Sequence, residues 1–114
     1  MGKHTVKINR LAEKKKTEKI LKYMKDKDEE TRIDAIRALG ECGGEEAFNH
    51  LVMQLSSQIS RERMEAAKAL GKCGPDAAFY QLSHYADMET DASVKEAMKD
   101  AMGQIHKRTK GRDE

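Results

Sequence analysis

The residues "ALGECGGEEAFNHL" at Ala38–Leu51 return almost unchanged as "ALGKCGPDAAFYQL" at Ala69–Leu82. Gly40 and Gly71, Cys42 and Cys73, Phe48 and Phe79, and Leu51 and Leu82 all stand 31 residues apart. Four matches at one spacing mark an internal repeat, and a period of this size belongs to chains built from stacked helical units. A fainter third copy follows at a spacing of 32, where Ala101, Met102 and Gly103 replace Ala69, Leu70 and Gly71, and Ile105 replaces Cys73.

Each copy holds two helical patterns separated by a glycine-bearing break. Asp28 is a good N-cap and is followed by Glu29 and Glu30, after which Ala35, Ile36, Leu39 and Cys42 recur at helical spacing. This is helix A of the unit. Gly43 and Gly44 end it, because glycine accepts the left-handed backbone of a helix C-terminus. Helix B runs from about Glu45, with Ala47, Phe48, Leu51, Val52 and Leu55 on its apolar side. The next unit repeats the scheme with Met64, Ala67, Leu70 and Cys73, then Pro75 at a helix start, then Ala78, Phe79 and Leu82. A last A helix carries Val94, Met98, Met102 and Ile105 with no B helix after it.

Before Asp28 the repeat is weaker. Ile20 and Met24 stand 31 residues before Leu51 and Leu55, so "TEKILKYM" reads as a B helix, and Val6, Ile8 and Leu11 supply a shorter A helix. The break between them, "KKKT", lacks glycine, so residues 6–25 are either two helices or one bent helix. Atypical end units are common in such stacks. The expected class is all-α, an α-solenoid of about three helical hairpins plus a terminal helix. Its units lie at about 5–27, 28–57 and 60–88, with a terminal helix at 91–107. Residues 1–107 then form one domain and 108–114 a flexible tail.

Composition agrees with this reading. The chain has 114 residues, of which 38% are apolar, 37% charged and only one is proline, which favours exposed helices over turns and strands. No apolar run is long enough to cross a bilayer, and the basic N-terminus lacks a signal-like apolar stretch, so no membrane is expected and the location is read as cytoplasmic. Cys42 and Cys73 are expected as small, inert core groups in a reducing compartment. Charge is uneven: residues 1–27 carry ten Lys or Arg against three acids, and residues 28–104 carry eight against fifteen.

Helical pairs in which "ALG" ends helix A before a glycine-bearing turn resemble the HEAT repeat family, in the short HEAT-like form also found in phycobilisome lyases. The resemblance implies a protein-binding scaffold whose B helices line the concave side. It also implies a ladder between an acidic turn residue and a basic residue early in helix A. Arg32, Arg63 and Lys95 stand in register, with Asp28 and Asp91 four residues before the first and last, but Ile59 occupies the acidic place in the middle unit. A continuous ladder is therefore not expected.

If positions 47, 48, 51, 52 and 55 face the core, then 46, 49, 50 and 53 face outward. Across the units this gives Lys15, Glu18, Lys19 and Lys22, then Glu46, Asn49, His50 and Met53, then Ala77, Tyr80, Gln81 and His84. The strip grades from lysines to Met and Tyr, residue types that interfaces favour. Asn49, His50, Met53, Tyr80, Gln81, His84, Lys19 and Lys22 are the candidate partner-binding residues. The rival reading is nucleic-acid binding by the lysine-rich N-terminal end, through Lys14, Lys15, Lys16, Lys19, Lys22, Lys25 and Lys27. Against it stand the 4% aromatic content and the acidic remainder of the chain.

No nucleophile elbow, phosphate loop or paired-histidine zinc motif is present, so no enzyme activity and no cofactor are expected. His50 and His84 lie three positions out of register without a third ligand, which argues against a metal site. Met98, Met102 and Ile105 on the last helix are expected to stay exposed on one flank. A monomer, or a weak homo-oligomer through that helix, follows.

Overall fold

The computed structural model describes residues 2–113. Helices α1 (Thr5–Glu13) and α2 (Thr17–Leu21), the latter continued by a 3-10 turn at Lys22–Lys25, form the first pair. Next come α3 (Glu29–Cys42) with α4 (Gly44–Gln54), then α5 (Ser60–Cys73) with α6 (Ala77–Met88), and α7 (Ala92–Asp113) closes the stack. No strand occurs among the described residues. The result is a small all-α solenoid.

The odd-numbered helices form one continuous layer, α1 against α3, α3 against α5, and α5 against α7. The even-numbered helices form a looser second layer, in which each later member lies closest to the odd helix that follows it, α4 on α5 and α6 on α7. Each unit therefore completes its core with its neighbour. Ile8, Ile20, Ile33, Ile36, Leu39, Leu51, Leu55, Leu70, Leu82, Val94, Met98 and Ile105 are fully buried between the layers.

Local chemistry sets the element boundaries. The Asp28 carboxylate accepts from the Thr31 amide at 3.0 Å and the Thr31 hydroxyl at 2.8 Å, capping α3. These two hydrogen bonds hold the Asp28 carboxyl below its ordinary range. Asp91 does the same for α7, accepting from the amides of Ser93 and Val94 at 2.9 and 3.2 Å. Helix α5 has Ile59 before it and no side-chain cap. Gly43 and Gly44, at φ +67° and +87°, turn the chain from α3 into α4. In the first unit Lys15 takes that role at φ 56°, a conformation non-glycine residues adopt at a cost of about 1 kcal/mol. Residues 6–25 are thus two helices.

The odd-layer helices approach through small residues. A Cβ on Gly40 would stand 2.9 Å from the Ala69 Cβ, and one on Gly71 would stand 2.9 Å from the Ala101 Cα. The glycine of one "ALG" therefore meets the alanine of the next, which is why the triplet repeats.

Ion pairs flank these contacts. Arg37 is bidentate to Glu65 at 2.9 and 3.0 Å, Arg61 reaches Glu30 at 2.5 Å, and Lys72 meets Glu41, all between α3 and α5. Arg32 joins Glu62 at 3.3 Å and donates to the Asp26 and Lys27 carbonyls. Arg63 holds Glu89 at 2.8 and 2.9 Å and donates to the Ser57 carbonyl at 2.9 Å. A ladder exists for the first two arginines, but its acids are Glu62 and Glu89. Asp28 and Asp91 are spent on helix caps.

Four further expectations change. Val6 is 59% exposed, since it falls on the opposite side of α1 from Ile8 and Ala12, which face the core. Met98 and Ile105 are buried because α7 packs on both α5 and α6, so the exposed apolar flank that motivated self-association through this helix is absent. Residues 108–113 continue α7 instead of forming a loose tail: Arg108 donates to the Gly71 and Gly74 carbonyls, and Thr109 to Asp76. Glu114 lies outside the described residues. Cys42 and Cys73 are half-buried, at the ends of helices where the layer opens.

Candidate partner-binding site

The outward face of the even-numbered helices carries the residues the repeat register singles out. On α4, Asn49 and Met53 stand one turn apart and exposed, with half-buried His50 beside them. On α6, Tyr80 and His84 stand one turn apart, again exposed, with Gln81 between. Met53 is 63% and Tyr80 74% exposed, values at which large apolar side chains offer most of their surface to a partner. The Tyr80 ring stands edge-on to Phe79 at 5.7 Å, and the His84 ring to Tyr85 at 5.2 Å.

Lys19 on α2 and Lys22 on the 3-10 turn are exposed as well, and the Lys22 ammonium lies 5.4 Å from the Tyr23 ring centre. Lys14, Lys15, Lys16, Lys25 and Lys27 join them on the surface, while the Lys15 ammonium also caps the Glu41 carbonyl at 2.7 Å. The candidates thus fall into a lysine-bearing first unit and an apolar-aromatic pair of rows on α4 and α6.

Between these rows the register has a gap that periodicity alone does not announce. Helix α4 starts directly at Gly44, but α6 starts only at Ala77, two residues later in the repeat, because Gly74 and Pro75 extend the turn. Gly74 is obligatory there: a Cβ would meet the Leu70 carbonyl oxygen at 2.4 Å and the Ala78 Cβ at 2.9 Å. With α6 drawn onto α7, a cleft of about 780 Å³ opens beside α4, lined by Gly44, Glu45, Phe48, Cys73, Gly74, Pro75 and Arg108. Burial pushes the Cys73 thiol up from its ordinary value, so it is protonated at neutral pH. A separate, polar cleft between α2 and α4 measures about 400 Å³ and is lined by Lys15, Lys16, Thr17, Glu18, Lys19 and Glu46. Thr17 stands 31 residues before Phe48, so the first unit has a hydroxyl at the repeat position where the second has the aromatic ring.

Sequence reasoning placed Phe48 in the core and left Pro75 as a helix start, so it missed the cleft. The signal was the change from "GGEEA" to "GPDAA" between the copies. No group of three or more His, Cys, Asp or Glu able to hold a metal ion occurs among the described residues. No helix among them is long and apolar enough to cross a membrane.

No curated protein matches the chain. A family model for HEAT repeats matches residues 17–103, from α2 into α7. With that match spanning most of its length and the stacked hairpins it describes present in the structure, the chain belongs to the HEAT repeat family.

Proposed function

We propose that this protein is a non-enzymatic, cytoplasmic scaffold that binds a protein partner through the outward face of its B helices, α2, α4 and α6. The observation that carries the reading is the exposure of Met53 and Tyr80 on successive helices of that face. Interfaces concentrate their energy in such anchors, Tyr above all, with polar neighbours excluding water around them. Asn49, His50, Gln81 and His84 supply the polar neighbours, and Lys19 and Lys22 add long-range attraction for an acidic region of the partner.

The second reading, nucleic-acid binding, rests on the seven exposed lysines between Lys14 and Lys27. Binding of the recovered partner to two variants at several salt concentrations separates the readings. Combined Met53→Ala, Tyr80→Ala and His84→Ala changes should abolish protein binding, at about 2 kcal/mol or more for a central aromatic anchor. Lys15→Gln, Lys19→Gln and Lys22→Gln should mainly slow association. The opposite pattern, with each lost lysine flattening the salt slope by nearly one unit while the first variant binds normally, sinks the protein-scaffold reading.

A further inference from the structure

The cleft bounded by the start of α4, the turn from α5 into α6 and Arg108 of α7 has the makings of a specific pocket. Its floor and walls are Phe48, the Cys73 thiol, Pro75 and two glycines, and its volume of about 780 Å³ is ample for a bulky side chain together with its flanking backbone. Such volumes lie within the range of small-ligand sites. Its two charged members are unequal. Arg108 comes from α7 and is fixed in place, with Nη1 donating to the Gly71 carbonyl at 2.6 Å and Nη2 to the Gly74 carbonyl at 2.7 Å. A guanidinium has five N–H donors, so three remain after these bonds, and Arg108 makes no ion pair among the described residues. Glu45, at the start of α4, is exposed and makes no ion pair among the described residues, so it can turn toward water. A pre-positioned cation beside an apolar floor selects a ligand that joins a large apolar group to an anion.

The cleft also borders the outward face of α4. Glu45 lines both the cleft and a shallow depression with Glu46, Asn49 and His50. A chain lying along that face reaches the cleft without leaving the surface.

We propose that this cleft is the anchor pocket of the partner-binding face: it receives one bulky apolar side chain of an extended peptide segment, and Arg108 receives an Asp or Glu carboxylate next to it. The proposal rests on the protein-scaffold reading above and names the chemistry of the partner segment. The polar cleft between α2 and α4 does not share this role, since Thr17, Lys15, Lys16 and Lys19 line it without an apolar floor.

Capped tetrapeptides serve as probes, Ala-Phe-Glu-Ala against Ala-Phe-Lys-Ala and Ala-Ala-Glu-Ala, titrated into isotopically labelled full-length protein and followed by amide shifts. The Phe-Glu peptide should shift Gly44, Glu45, Phe48 and Gly74, and should bind about tenfold more tightly than the peptide lacking Phe. It should also bind several-fold more tightly than the Phe-Lys peptide, with that preference lost in Arg108→Gln and increased in Glu45→Gln. Because Arg108→Gln also removes a helix-end cap, a second measurement uses unaltered protein: saturating Phe-Glu peptide should slow alkylation of Cys73 several-fold while leaving Cys42, which does not line the cleft, unchanged. Equal binding of all three peptides, or equal protection of both thiols, overturns the pocket. Shifts confined to the Met53 and Tyr80 rows also overturn it, yet leave the B-face reading intact. Loss of that broader reading shows separately, in a partner indifferent to the Met53, Tyr80 and His84 changes.

Discussion

Gly40 lies against Ala69 so closely that a methyl group on Gly40 would come within 2.9 Å of the Ala69 Cβ and 3.2 Å of its Cα. Gly71 stands in the same relation to Ala101, but Gly103 has nothing within 4 Å of the position its Cβ would take. The three glycines occupy one repeat position and should respond oppositely to one substitution. Gly40→Ala and Gly71→Ala should destabilise by about 1 to 3 kcal/mol through overpacking. Gly103→Ala should stabilise by about 0.5 to 1 kcal/mol, because alanine loses less conformational freedom in a helix. Chemical denaturation of the three variants decides the point, and a shared sign would contradict the packing described.

Leu39 and Leu70 are equivalent residues, both fully buried. Leu39→Ala and Leu70→Ala should each cost about 2 to 5 kcal/mol and lower the melting temperature by similar amounts. If either is tolerated without loss, the repeat alignment is wrong.

Glu89 is buried to within 3% of full exclusion at its side chain and gripped by Arg63 through two hydrogen bonds. The Arg63 hydrogen bonds hold its carboxyl below the ordinary 4.5. Glu30 and Glu41 are lowered by Arg61 and Lys72. A carboxylate with a depressed pKa in the folded state contributes stability that is complete above about pH 4.5 and is lost as pH falls through the folded value. Melting temperature should therefore drop steadily below pH 4.5, and Glu89→Gln should reduce that dependence while costing about 2 to 3 kcal/mol at neutral pH. An acid limb of unchanged steepness in Glu89→Gln would count against the pairing.

Cys73 combines partial burial with a thiol pushed up by that burial. Its alkylation at neutral pH should be slow in the native protein and several-fold faster in denaturant, with no disulfide to Cys42 in freshly purified material. Fast native labelling at neutral pH would show a more open helix end than the one described.

The repeat was legible because like layers need like residues: Leu39 and Leu70 fill the same space, and Ala69 and Ala101 admit the same glycine contact. The units, the Asp28 cap and the exposure of Met53 and Tyr80 all follow from that periodicity. What escaped it depends on contacts between units. Periodicity within α1 set Val6 beside Ile8, although residues two apart on a helix point in nearly opposite directions. Glu62 and Glu89 occupy different places in their units, so no register argument links them to Arg32 and Arg63. Arg108 reads as part of a charged tail until the carbonyls of Gly71 and Gly74 are known to lie beside it. The cleft arises from two residues of delay before α6, a difference between the copies that a search for likeness passes over.

The two layers are bound together unequally, and the inequality has a mechanical meaning. Along α3, α5 and α7 the backbones touch through glycine and alanine, and α3 and α5 are further cross-linked by Arg37, Arg61 and Lys72 with their acids. Helices α4 and α6 touch each other sparingly. A bending force therefore meets a stiff spine on one side and compliant ribs on the other, so the ribs can spread or close by small rotations without tearing the spine. Elastic energy would be stored mainly between neighbouring ribs, where the helices are least joined.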